Sequence, residues 1–116
     1  MPDLKVEKRV LPDGITYIEA EGFLDAHTFE EMEELMNEVF RSNCYKFIVK
    51  LEKLDYISSA GAGVFVGAIS TAKDNAGDIV FLNPSPNVKE VFDLLGLSQI
   101  FQFAESEAQA ISCFSD

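Results

Sequence analysis

The chain has 116 residues, 47% of them apolar and 25% charged, which suits one globular domain with its own core and excludes a disordered or fibrous chain. Twenty acidic residues against nine basic ones leave a net charge of −11. Such a surface repels nucleic-acid phosphates and anionic lipid, whose binding rests on clustered Lys and Arg, and it serves either solubility or steering toward a basic partner.

In chain order, Leu4 to Val10 alternates Leu4 and Val6 with Lys5, Glu7 and Lys8, the period of a strand. Pro12-Asp13-Gly14 marks a turn, and Ile15 to Ala20 supplies β-branched and aromatic residues for a second strand continuing through Leu24, so the chain opens on a hairpin. From Ala26 the period changes. Phe29, Met32, Leu35, Met36, Val39 and Phe40 recur at three and four, predicting an amphipathic helix with Asp25 or Thr28 as N-cap. Its other face carries Glu30, Glu31, Glu33, Glu34 and Glu38, a solvated face or a docking surface.

Tyr45 to Leu51 predicts a central strand, Glu52 to Ser58 a loop, and Ser59 to Asn75 a second helix stopped by Gly77. Asp78 to Leu82 reads as a short buried strand, and Asn83-Pro84-Ser85-Pro86 breaks it. A third helix holds Val88, Val91, Phe92, Leu94 and Leu95 and ends at Gly96. Ile100 to Phe103 predicts a last strand, and Ser106 caps a final helix. Strands joined through helices pair in parallel, whereas the opening hairpin is antiparallel. The expected fold is therefore α/β: a single domain over residues 1–116 with one mixed sheet and about four helices mainly on one face.

Enzyme chemistry finds little support. The one histidine, His27, cannot build a His-rich metal site, and Cys44 and Cys113 lack zinc-ligand spacing. No nucleophile elbow and no phosphate-binding P-loop motif occurs, so neither metal nor cofactor is expected. Met1 to Lys5 lacks a basic region followed by an apolar one, so no signal peptide is expected, and both cysteines read as reduced thiols of a cytoplasmic protein. The longest uncharged stretch, Tyr56 to Ala72, is too polar to span a membrane.

The informative segment is Tyr56-Ile57-Ser58-Ser59-Ala60-Gly61-Ala62-Gly63-Val64, with Gly67 beyond it. Each interior helical glycine costs up to about 1 kcal/mol relative to alanine, so three of them need a reason. Close packing on the sheet is one reason, and close approach of an external group is the other. A helix N-terminus also presents free N–H groups and a positive dipole end, where a serine hydroxyl caps the helix or receives a phosphate. As a dinucleotide loop the glycine spacing is weak. Phe65 suits the core or a partner contact equally.

This segment resembles the signature of STAS domains, the family of bacterial anti-sigma factor antagonists and of the cytoplasmic domains of sulphate transporters. Gly22-Phe23-Leu24-Asp25-Ala26-His27-Thr28 resembles the family's segment between strand and first helix, and Val91-Phe92-Asp93-Leu94-Leu95-Gly96-Leu97 resembles its late helix and Gly-Leu turn. The resemblance covers nearly the whole chain, whose end with the domain favours a stand-alone antagonist. It implies a non-enzymatic switch in which the antagonist binds an anti-sigma factor, often a serine kinase, and frees a sigma factor. Phosphorylation of a serine at the start of the second helix ends the complex, and a serine phosphatase resets it. By this resemblance Ser59 is the phosphoacceptor and Ser58 the alternative. Asp25 matches an acidic residue beside the acceptor. The sequence departs from many phosphorylated members at Ser58, where they carry an acid, and at Ala62, where they carry leucine.

The implied partner surface is Asp25, Tyr56, Ile57, Ser58, Ser59, Ala60, Gly61, Ala62 and Gly63, extending along the exposed side of the second helix and the segment Glu52 to Ile57. Two other readings remain: a phosphorylation-independent STAS interaction module in another signalling complex, and a small-ligand or nucleotide sensor using the Gly61–Gly67 helix start as an anion site.

Overall fold

The computed structural model describes residues 3–114. The elements in order are β1 (Leu4–Val10), β2 (Thr16–Leu24), α1 (Phe29–Arg41), β3 (Lys46–Ile57), α2 (Ser59–Asp74), β4 (Asp78–Leu82), α3 (Pro86–Leu94), a 3₁₀ turn (Leu97–Gln99), β5 (Gln102–Ala104) and α4 (Glu107–Ser112). They form one five-stranded sheet in the order β1-β2-β3-β4-β5, antiparallel between β1 and β2 and parallel elsewhere.

This order explains where the helices lie. Parallel strands are joined by right-handed crossovers, and successive strands here are added in one direction across the sheet. Each crossover helix therefore returns over the same face. Met32, Met36 and Val39 of α1, Phe65 and Ile69 of α2, and Val88 and Phe92 of α3 share one core with Ile18, Val49 and Phe81 of the sheet. Phe81 is its aromatic centre, with ring centroids 5.0 Å from Phe65 and 4.9 Å from both Phe92 and Phe101. The helix α4 follows the last strand and packs on the opposite face, where Ala110 joins Tyr17, Ile48, Val80 and Leu82.

Residues 52–57 differ from the expected loop, and only Ser58 lies outside the strand. The strand β3 runs unbroken to Ile57 and pairs with β2 along its length, whereas β4 stops where Leu82 meets Lys50. The last seven residues of β3 thus form a two-stranded ribbon with β2 that overhangs the rest of the sheet. Register shifts between Glu19 and Glu21 and between Gly22 and Phe23 break strict alternation. They bury Leu51, Leu54 and Ile57 at a spacing of three, which disguises the strand, while Glu52, Lys53 and Asp55 face solvent. On its open side the ribbon meets α3: Ser85 Oγ donates to the Leu54 carbonyl at 2.7 Å.

Helix ends follow local chemistry with two differences of detail. Thr28 holds the N-cap position of α1, but its hydroxyl bonds outward, donating to the Phe23 carbonyl and accepting from the Asp25 N–H, both at 2.9 Å. At the end of α2 the left-handed residue is Ala76 (φ 62°). Gly77 donates its N–H to the Ala72 carbonyl, and a Cβ there would lie 1.9 Å from the Tyr45 carbonyl oxygen. Glycine at 77 is thus required by backbone proximity. Gly96 (φ 74°) ends α3 as expected, and Ser106 caps α4 by accepting from the Gln109 N–H at 3.1 Å. The final strand is Gln102–Ala104, shifted from the predicted Ile100–Phe103 because Leu97–Gln99 forms a 3₁₀ turn first.

Candidate functional site

The overhanging ribbon carries the start of α2 to one edge of the molecule, beside the bend that leads from β2 into α1. Two backbone contacts join them. The Ser58 N–H donates to the Leu24 carbonyl at 3.0 Å, and Gly61 packs against that same carbonyl, since a Cβ at 61 would stand 2.4 Å from its oxygen. Glycine at 61 lets the first turn of α2 sit on the Leu24–Asp25 bend. This contact sets Asp25 next to the serine pair, although the two segments are more than thirty residues apart in sequence.

The two serines play different structural parts. Ser58 has extended backbone (φ −95°, ψ 174°), is half-buried, and accepts the Gly61 N–H on its Oγ at 3.1 Å as the N-cap of α2. Ser59 is the first helical residue and is exposed, and its hydroxyl has no hydrogen-bond partner among the described residues. No acidic residue stands in the first turn of α2, so the positive end of the helix dipole is uncompensated by that turn. The Asp25 carboxylate accepts the His27 N–H at 2.9 Å, which stiffens the bend. His27 itself is exposed.

The remaining sequence-predicted residues divide by exposure. Tyr56, Ala60 and Gly63 are exposed and Asp25 is half-buried, whereas Ile57, Gly61 and Ala62 are buried within the chain and support this surface from beneath. The fold also adds residues that sequence reasoning did not place at the site. Phe23 stands with its ring centroid 5.6 Å from that of Tyr56, forming an aromatic pair beside Asp25. A groove of about 240 Å³ separates α1 from α2 and is lined by Glu33, Met36, Asn37 and Phe40 on one side and Gly63 and Gly67 on the other. A Cβ on Gly63 or Gly67 would meet nothing within 4 Å. Phe65, ambiguous in sequence, is fully buried in the core.

Among the described residues no group of three His, Cys, Asp or Glu side chains is placed to hold a metal ion, and no helix is long and apolar enough to cross a membrane. Cys44 and Cys113 are free thiols.

The family model of the STAS domain matches residues 6–110, and the chain belongs to the STAS-domain family. An anti-sigma F factor antagonist of Paenibacillus polymyxa is 26% identical over 100 residues, covering 85% of this chain and 86% of that protein. An anti-sigma-B factor antagonist of Staphylococcus aureus is 27% identical over 93 residues, covering 80% of this chain and 86% of that protein. Among solved structures, the anti-sigma factor antagonist SpoIIAA in its unphosphorylated form superposes with a TM-score of 0.81 at 26% identity, covering 94% of this chain and 95% of that one. The Bacillus cell fate determinant SpoIIAA in its phosphorylated form gives 0.73 at 25% identity, covering 94% and 98%.

Proposed function

We propose that this protein is a cytoplasmic anti-sigma factor antagonist. It binds an anti-sigma factor with serine-kinase activity and thereby releases a sigma factor. Phosphorylation of Ser59 switches binding off, and a serine phosphatase restores the binding form. Ser58 is the alternative acceptor. The observation that carries this reading is the difference between the two hydroxyls: Ser58 is engaged as a helix cap, while Ser59 is exposed at the same helix start with no hydrogen-bond partner among the described residues. The names of its STAS relatives and the existence of a phosphorylated SpoIIAA support it.

In this reading the kinase directs the Ser59 Oγ at the γ-phosphorus of its bound ATP. ADP leaves, and the hydroxyl proton passes to a base of the kinase. The antagonist supplies no catalytic group and acts as substrate and ligand. Asp25, Tyr56, Ser58, Ser59, Ala60 and Gly63 form the contact surface, and Ile57, Gly61 and Ala62 hold it in place.

The physics of release is electrostatic. A neutral hydroxyl enters a tight interface with one hydrogen bond, whereas a phosphate brings about −1.5 to −2 charges at pH 7. Burying that charge without a cation costs several kcal/mol, and about 1.4 kcal/mol already changes affinity tenfold. Asp25 adds repulsion to the phosphate and is harmless to the hydroxyl. Calorimetric titration of the anti-sigma factor tests this: Ser59→Ala retains binding and Ser59→Asp loses most of it. Equal affinities for the two variants would overturn the switch. Intact-mass analysis of protein from its native cells, followed by fragmentation, decides between Ser59 and Ser58.

A further inference from the structure

From Ser59 to Thr71 every exposed position of α2 is uncharged, in a chain of which 25% is charged. Val66 is the one large apolar side chain among them, 39% exposed. Two of the other positions, Gly63 and Gly67, lie one turn apart on the same side of the helix, and among the described residues nothing lies within 4 Å of a Cβ placed at either. Glycine is a poor helix interior residue, so bare backbone at two successive turns does not serve the helix itself. It does allow another backbone to approach closely, because interaxial distance is set by the side chains at the contact.

The facing wall gives the chemistry of what approaches. The half-buried Phe40 of α1 supplies apolar contact above the core residue Met36, and Glu33 stands on the rim, with Glu30 three residues earlier on the adjoining exposed flank of the same helix. A second copy of this chain would bring another acidic α1 and another −11 charges against the first, so self-association through this groove is opposed.

We infer that the groove between α1 and α2 receives a basic amphipathic helix of the anti-sigma factor, with small or apolar residues over Gly63 and Gly67 and Lys or Arg reaching Glu33 and Glu30. The inference rests on the function proposed above and extends that contact surface from the start of α2 along its next two turns, to Thr71. Helix-in-groove recognition of this kind uses apolar anchors for affinity and flanking charge for register and encounter rate.

The test uses the full-length chain and the intact cognate anti-sigma factor. Gly67→Gln fills the groove without changing charge, and Glu33→Lys reverses the rim. Glu38→Lys, on the opposite flank of α1, is the control. Calorimetric titration is expected to show about a tenfold or greater loss for each of the first two variants, equivalent to about 1.4 kcal/mol, and little change for Glu38→Lys. Thermal melts check that all three fold; the open space at 67 and the exposure of both glutamates make that the expected result. Zero-length carbodiimide coupling of the wild-type complex is expected to join Glu33 or Glu30 to a lysine in a helical segment of the partner. Wild-type affinity in both Gly67→Gln and Glu33→Lys, with Ser59→Asp still releasing the partner, would overturn the groove and leave the switch standing. Absence of binding by the wild-type protein would remove the proposed function and this inference with it.

Discussion

The Ser58 hydroxyl accepts the Gly61 N–H, while that of the adjacent Ser59 has no partner among the described residues, and this sets distinct expectations for their removal. Ser58→Ala is expected to lower stability by about 1 kcal/mol, the usual value of an N-cap, and Ser59→Ala to change it by less than about 0.5 kcal/mol, as urea unfolding will measure. The glycines of α2 divide in the same way. Gly63→Ala and Gly67→Ala meet open space and are each expected to raise the urea midpoint, by up to about 1 kcal/mol in stability. Gly61→Ala is expected to lower it, because its Cβ meets the Leu24 carbonyl and the first turn of α2 has to shift. Sequence alone raised both reasons for these glycines. Assigning each reason to its residue took the position of Leu24, which is remote in the chain.

The elements were legible wherever their apolar period was clean. In α1, Met32, Met36 and Val39 face the core as their spacing predicts, and the acidic residues Glu30 and Glu31 suit the N-terminal dipole. The strand β4 reads directly as a short buried run between Gly77 and Asn83. The exception was residues 52–57, whose charges and broken alternation read as a loop. Two register shifts let β3 keep pairing with β2 while Glu52, Lys53 and Asp55 face solvent, and no local propensity announces a pairing made across the sheet. The strand β4 also carries the side chain on which the helical layer converges. Phe81→Ala removes ring contacts with Phe65, Phe92 and Phe101 at once and is expected to cost about 3–5 kcal/mol, measurable as a lower denaturation midpoint.

Across the whole molecule, charge is distributed unevenly. The exposed side of α1 is acidic, whereas the uncovered sheet face beside α4 is laced with ion pairs: Lys50 bridges Glu19 and Glu52 at 3.6 and 3.5 Å, and Arg9 pairs with Glu107 at 3.1 Å. Tyr17 lies within that face, 7% exposed, with the Arg9 guanidinium 4.3 Å from its ring centroid. Burial pushes the Tyr17 phenol above its ordinary range, against the opposing pull of Lys50, and Tyr17, followed by Glu19, holds Lys50 above its own. A raised folded-state value contributes stability that is present below the unfolded value and is lost as pH rises through the folded one. Stability is therefore expected to fall as pH climbs past about 10. Tyr17→Phe keeps the ring under Arg9 and is expected to flatten that alkaline decline in thermal melts taken as a function of pH. Equal alkaline slopes for the two proteins would place the loss elsewhere.

Composition, period and turn residues by themselves determined a single acidic α/β domain, its opening hairpin, the order of its strands and helices, and a serine pair at a glycine-rich helix start. Those properties are local, because hydrophobic spacing and capping chemistry act over a few residues. Tertiary structure alone decided which serine caps and which is free, which glycine is packed and which lies open, that Phe65 is core, and that Phe23 and Tyr56 stand together beside Asp25. The packing of Gly61 and the Phe23–Tyr56 pair depend on the Leu24–Ser58 contact and the overhanging β2–β3 ribbon, and the burial of Phe65 depends on its packing against Phe81. Contacts between segments distant in sequence arise only when the sheet closes its register, and one sequence window carries no record of the partner it will meet there.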